Sequence, residues 1–330
     1  MLTSIAVALL ISAAVSLLMG ALLIPLLRRL KAGQTIKDIG PVWHISKQGT
    51  PTMGGLMFIA GITVTVIAFT AKDIRKGELA HLAMLAFALL YGAIGFLDDY
   101  EKVRKRGNTG LSALQKFALQ LIVAISFLLL LRRMGYITPN LYIPFWNVSV
   151  PMPEVLYFVI AAFAVVGIVN GANLTDGVDG LLTGVSLPMA IFFAFAAYKW
   201  DMRIQGVYAG ALAGGLAAFL VYNFHPAKIF MGDTGSLFIG GSICALALSM
   251  DMLLVLIPVG MIYIVTVLSD IIQVSYFKAS HGKRIFKMAP LHHHFEKSGW
   301  SEVKIFVVYT SFSVLFALIA WMSVMGRFRI

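Results

Sequence analysis

Apolar runs of membrane length recur along this chain, and that repetition limits its fold more than any other feature. Crossing a bilayer as a helix takes about 20 apolar residues. Runs of that order fall near 3–27, 52–70, 80–97, 112–131, 154–172, 181–198, 204–224, 236–253, 254–276 and 303–325. The expected fold is therefore all-α: a polytopic integral membrane protein with about ten transmembrane helices, forming a single domain over residues 1–330. The charged fraction agrees, since only 12% of residues are Asp, Glu, Lys or Arg, whereas soluble domains carry about 25%. The first run has no basic segment ahead of it and no cleavage site, so it reads as a span rather than a signal peptide. Between the eighth and ninth runs only Asp251 marks a turn, with Pro258 close after it. The lone Cys244 lies inside an apolar run, which excludes an intrachain disulfide and a cysteine-based metal cluster.

A net charge of +11 would suggest nucleic acid as the partner of a soluble protein. Here the positions of the charges decide otherwise. Alternate loops divide the basic residues unevenly, with 17 Lys and Arg on one set and 9 on the other. Basic loops stay in the cytoplasm, and an even number of spans leaves both termini on one side. Both termini are thus expected outside, with the loops around 28–47, 102–106, 170–180, 225–235 and 278–304 in the cytoplasm. The segment 132–153 falls outside; its prolines and alternating apolar residues predict a short hairpin.

The unusual polar residues collect on the loops assigned to the cytoplasm. Asn170, Asn173, Asp176 and Asp179 recur every three residues where an apolar run ends, and Asp-Gly turns follow. Such groups are costly near lipid unless they serve a site; a plain helix end followed by a polar loop does not explain two Asn in the last apolar turns. Asp98 and Asp99 stand side by side at the end of the third run. Paired carboxylates there suit Mg²⁺, which takes one or two carboxylates plus substrate phosphates. The alternative is a solvated charged loop, but acids at a helix C-terminus oppose its dipole and need compensation.

Three further stretches are weaker singly. The stretch His44–Gly55 joins Lys47 and Thr52 to glycines that let backbone approach a phosphate, although the glycines equally suit a tight helix start. In Tyr222–Ser236, Asp233 sits between Gly232 and Gly235, with Phe230 offering a flat face either to a base or to the membrane interface. The run His292-His293-His294 cannot easily hold one metal from a helix, where successive residues diverge by about 100°. From a loop, one or two imidazoles could reach a pyrophosphate oxygen. No Walker lysine motif and no His-Glu-x-x-His motif occurs, so ATP-driven transport and a zinc hydrolase have no support. Together the clusters suit transfer of a phosphate-linked group between a soluble substrate and a lipid.

In order along the chain stand Thr50-Pro-Thr-Met-Gly-Gly55, Asp98-Asp99, Asn170-x-x-Asn173-x-Thr-Asp176-Gly-x-Asp179-Gly180, Gly232-Asp-Thr-Gly-Ser236 and Pro290-Leu-His-His-His-Phe-Glu296. This series resembles the bacterial phospho-N-acetylmuramoyl-pentapeptide transferases, within the polyprenyl-phosphate sugar-1-phosphate transferase superfamily. The resemblance covers nearly the whole chain. It implies a Mg²⁺-dependent, dimeric enzyme of the bacterial cytoplasmic membrane, with its active site facing the cytoplasm. Such an enzyme moves phospho-MurNAc-pentapeptide from UDP-MurNAc-pentapeptide to undecaprenyl phosphate, giving lipid I and UMP. Membrane lipid is then a partner and nucleic acid is not. By the same resemblance Asp233 is the metal ligand, and Asp98, Asp99, His292 and His293 join it as catalytic residues. Lys47, Thr52, Lys102, Asn170, Asn173, Asp176, Asp179, Asn223 and Ser236 are implied to line the uridine-diphosphate cleft or its rim, with Gly177 and Phe230 at the uracil. Two alternatives stay open on the residues alone. One is a UDP-GlcNAc:undecaprenyl-phosphate transferase. The other is a secondary transporter of an anionic metabolite, which would need charges near the bilayer midplane, where Asp270 is the main one.

Overall fold

The computed structural model of the protein describes residues 1–29, 47, 49–74, 77–105 and 110–327. His44 and its neighbours 45, 46 and 48 lie outside the described residues. The elements in order are α1 (Leu2–Arg29), α2 (Gly55–Ile74), α3 (Ala80–Arg104), α4 (Ala113–Arg133), β1 (Asn140–Ile143), β2 (Val148–Pro151), α5 (Glu154–Thr175), α6 (Leu181–Lys199), α7 (Arg203–Asn223), α8 (Gly232–Ser249), α9 (Leu256–Val259), α10 (Met261–Ala279), α11 (Leu291–Glu296) and α12 (Glu302–Val324). Among the described residues, α1, α3, α4, α5, α6, α7, α10 and α12 are the eight helices long and apolar enough to cross a membrane. The chain is thus an all-helical, multi-pass membrane protein.

Two expected spans, α2 and α8, fall short of that measure for different reasons. The clearly apolar part of α2 is Gly55–Phe69. Helix α8 is diluted by Gly and Ser, yet every residue from Thr234 to Ser249 is buried. A helix enclosed by protein need not suit lipid, and small residues let its neighbours approach closely. Helix α8 is therefore the axis of the bundle, with α3 and α5 packed along it. The ninth run also departs from expectation. Instead of one span over 254–276, a 3₁₀ turn at Leu253–Val255 leads into the four-residue α9, and α10 starts after Gly260. Pro258, which lacks an N–H, sits in the first turn of α9, where that N–H would have had no helical partner.

Helix α7 lies against α1 through Gly206, Gly210 and Gly214, spaced by one turn. A Cβ on Gly214 would collide with the Leu9 carbonyl, and one on Gly210 would sit 2.7 Å from the Ile5 carbonyl oxygen. The expected hairpin is present, with β1 and β2 antiparallel and Ile143 opposite Val148. Phe145 N donates to the Ser323 carbonyl and Asn147 Nδ2 to that of Gly326, which fastens the hairpin to the end of α12. The opposite ends of the helices carry the polar clusters anticipated above.

Candidate active site

The end of α3 meets the start of α8. Gly95 faces the Asp233 backbone so closely that any Cβ there would strike it. Gly232 starts α8 at φ 71°, and a Cβ on it would meet the Asp99 carboxylate. These contacts bring two consecutive acids into different surroundings. Asp99 Oδ2 accepts from Thr234 N at 2.9 Å and Thr234 Oγ1 at 2.7 Å, while Oδ1 accepts from Asp233 N at 3.2 Å. It thereby caps α8 from a neighbouring helix and faces the positive end of the α8 dipole. That is the compensation which an acid at the C-terminus of α3 requires. Asp98, 3% exposed, turns instead to cations and to the incoming loop. Its Oδ2 lies 2.5 Å from Lys102 Nζ, and its Oδ1 accepts from Leu111 N at 2.9 Å.

Asp233 completes the group. Its Oδ2 lies 2.6 Å from Lys116 Nζ and 3.1 Å from Lys102 Nζ, and its Oδ1 accepts from Asn173 Nδ2 at 2.9 Å. Asn173 also donates to Ser236 Oγ at 2.8 Å. One ligand oxygen each from Asp98, Asp99 and Asp233 lies within 4.8 Å of the others. This is an all-oxygen donor set, the kind that hard divalent cations take. Asp99 is tied to the backbone and first hydroxyl of α8, whereas Asp98 and Asp233 each turn an oxygen to lysine side chains, so Asp233 and Asp98 are the better-placed ligands. Two lysines beside them offer the charge that a pair of phosphate groups needs.

A second group lies on the loops beyond. Lys47 Nζ bridges Asp179 Oδ1 at 2.7 Å and Glu302 Oε2 at 2.6 Å. Asp179 Oδ2 accepts from Ala227 N at 2.9 Å, and His225 Nδ1 lies 3.1 Å from it. Asp176 sits between the two groups. Withdrawal from water, with repulsion from Asp233, Asp99 and Asp179, pushes its carboxyl up to about 8.

The remaining expected residues divide. Thr52 stands close to Gly232. The segment 51–54 ahead of α2 is tied to Phe230, since Phe230 N donates to Pro51 O at 2.8 Å and Gly54 N to Phe230 O at 2.8 Å. Phe230 is thereby fixed next to the acidic group, its ring half-buried. His292 is fully buried against Gly177, where an added Cβ would collide with His292 Nε2. His293 Nδ1 lies 2.7 Å from Glu296 Oε2. The three histidines sit on the short helix α11, not on a loop, and only His292 among them is fully buried. Two further expected residues hydrogen-bond to neighbouring helices and loops. Asn170 exchanges amide hydrogen bonds with Gln120 of α4, with Asn170 Nδ2 donating to Gln120 Oε1 at 2.7 Å. Asn223 donates to the Ile229 carbonyl at 3.0 Å and accepts from Thr183 Oγ1 at 3.1 Å, holding the loop that carries Phe230.

Lys116 and Glu302 reach these groups without any motif to announce them. For Lys116 the available signal is a single cation in the first turn of an apolar helix, a position that demands a partner. Glu302 has no such mark, because an acid in the first turn of a helix is common.

Comparison with known proteins gives this geometry a family. Residues 81–251 match the model of glycosyl transferase family 4, and residues 47–59 match signature 1 of phospho-N-acetylmuramoyl-pentapeptide-transferase. A phospho-N-acetylmuramoyl-pentapeptide-transferase of Clostridium acetobutylicum is 43% identical over 316 residues, covering 95% of this chain and 97% of its own. One from Carboxydothermus hydrogenoformans is 44% identical, with 95% and 96% covered, and one from Staphylococcus carnosus is 41% identical, with 94% and 96% covered. Likeness of that degree, running from end to end and including the loops that carry both polar groups, makes this chain a member of the phospho-N-acetylmuramoyl-pentapeptide-transferase family.

Proposed function

We infer that the chain transfers phospho-MurNAc-pentapeptide from UDP-MurNAc-pentapeptide to undecaprenyl phosphate, releasing UMP and forming lipid I for peptidoglycan synthesis. The observation that carries this reading is the meeting of Asp98 and Asp233 with Lys102 and Lys116 at one end of a membrane bundle, in a chain of this family. An oxygen of the lipid phosphate forms a bond to the sugar-linked phosphorus. The bond from that phosphorus to the bridging oxygen breaks, and UMP leaves. One phosphoanhydride replaces another, so catalysis rests on positioning and charge neutralisation.

Lys102 and Lys116 neutralise phosphate oxygens, and Asp98 positions or deprotonates the lipid phosphate. Asp99 holds the start of α8, and so Asp233, in register. Asn173 and Ser236 orient Asp233. Lys47, Asp176, Gly177, Asp179 and Phe230 form the nucleoside side, with Thr52, His292 and His293 at the rim. Asp233, with Asp98 beside it, would hold Mg²⁺, which supplies charge neutralisation of the diphosphate. Direct attack fits better than an aspartyl-phosphate, because a phosphate dianion held beside Lys102 and Lys116 is itself a nucleophile and needs only its repulsion with the diphosphate relieved. The loop charges and the family support a bacterial cytoplasmic membrane location, a cytoplasm-facing site and a homodimer.

The test is UMP release from membranes given UDP-MurNAc-pentapeptide or UDP-GlcNAc, with and without undecaprenyl phosphate. Release only with the muramoyl substrate and the lipid together is expected. Equal use of both sugars would overturn the substrate assignment. Transport without UMP would overturn the enzyme. A stoichiometric UMP burst from delipidated enzyme would overturn direct attack.

A further inference from the structure

We propose that Glu302 is a positioning residue for the nucleotide side of the site, acting through Lys47 and the Asp179 loop. The proposal rests on the transferase reading above. Glu302 opens α12, where Ser301 Oγ accepts from Lys304 N at 3.2 Å and fixes the start of the helix. From there a single carboxylate oxygen, Oε2, accepts from Lys47 Nζ at 2.6 Å and from Asp179 N at 3.1 Å. Its other oxygen lies 3.7 Å from His225 Nδ1. Three loops far apart in sequence thus meet on one side chain, which is only 13% exposed.

The neighbourhood makes Glu302 a rigid reference point. Trp300 stacks on Phe295 of α11 at 4.6 Å, with Lys304 Nζ 4.3 Å over the Trp300 ring. Phe306, one turn on, packs edge-to-face on Phe224 at 5.1 Å and closes against Gly180. The position of α12 is therefore shared with the histidine helix and with both loops that flank the nucleoside side. Lys47 would be drawn to Asp179 alone without Glu302, and the Asp179 N–H, just ahead of α6, would lose its acceptor. Removing one member of a buried hydrogen-bonded charge group leaves its partners unpaired. The consequence falls on the nucleotide, because Glu302 touches neither Asp98 nor Asp233.

Steady-state kinetics of the full-length enzyme in detergent, with each substrate varied separately, test this. Glu302→Ala should raise KM for UDP-MurNAc-pentapeptide about tenfold or more. Both kcat and KM for undecaprenyl phosphate should stay within about twofold, the split expected from lost ground-state binding. Calorimetric Kd for UDP-MurNAc-pentapeptide without lipid should rise by the same factor. Glu302→Gln keeps one acceptor oxygen but loses the charge, and should raise the nucleotide KM about threefold, less than the alanine variant; it is the test if the alanine variant does not fold. Unchanged nucleotide KM and Kd in both variants, or an equal fall in the use of both substrates, would overturn the proposal. A wild-type enzyme that does not turn over UDP-MurNAc-pentapeptide would instead overturn the transferase reading.

Discussion

The two ends of the bundle hold ion pairs of opposite kinds. At the hairpin end three carboxylates each answer to one cation: Asp73 to Arg203 at 2.7 Å, Glu154 to Arg132 at 3.2 Å, Asp251 to Arg327 at 3.6 Å. At the other end Asp98, Asp99 and Asp233 share Lys102, and Lys116 reaches two of them. One-to-one pairs fasten helices and leave little for a ligand to gain. A shared, buried cluster holds charges that mutually repel and waits for more cation and more phosphate. Such imbalance in a protected place is what pre-organised charge stabilisation requires.

Substitutions at the two ends should therefore act differently. Asp233→Asn removes the carboxylate that both lysines hold within 3.1 Å and should lower turnover at least about 100-fold with folding retained. Near-normal rates in a membrane UMP-release assay would remove Asp233 from the site. Asp98→Asn should lose turnover on a similar scale, about 100-fold, yet still bind the UDP-substrate with Mg²⁺ in a calorimetric titration. Lost binding would assign Asp98 to the nucleotide instead.

Lys116→Met should cost about tenfold or more in turnover, the lower part of the range for a charge-stabilising group. Unchanged kcat would leave Lys102 as the sole cation of the reaction. Asp99→Asn acts through the fold. It weakens three hydrogen bonds to the start of α8 and should cost about 1.5–3 kcal/mol of stability, read as a lower unfolding temperature in detergent. If Asp99→Asn unfolds like wild type but is inactive, its role is chemical and the contrast with Asp98 disappears.

The smallest effect belongs to the far end. Asp73→Asn weakens a pair between a buried carboxylate and a partly exposed guanidinium, and turnover should stay within about twofold, because the pair lies at the end away from the acidic cluster. A large loss of rate there would mean that the two ends are coupled, and that one-to-one pairing does not mark a merely structural site.

Much of the fold is legible in the chain itself. Membrane-length runs announce the helices because lipid tolerates little else, and the prolines and alternating apolar residues of 132–153 announce the hairpin. Two departures follow from context. Helix α8 reads as a span but falls short of span hydropathy, because small residues suit its burial on all sides, and the run over 254–276 is interrupted at Gly260. Among the site residues, Asp98, Asp99, Asn173 and Asp233 stand out as polar groups next to apolar runs. Their sequence neighbours cannot say which of two adjacent acids caps a helix and which faces cations.

That division marks what each level decides. Charge and hydropathy along the chain determine that the protein is a membrane bundle with its unusual polar residues gathered at helix ends and the loops beside them, since desolvation penalises a misplaced charge wherever it lies. Only the tertiary structure separates Asp98 from Asp99, pairs Asn170 with Gln120 and Asn223 with Thr183, and adds Lys116 and Glu302. Each of those outcomes depends on a partner at least 40 residues away in sequence and at hydrogen-bond distance in space. A hydrogen bond is decided over a few tenths of an ångström, and no local pattern carries that information.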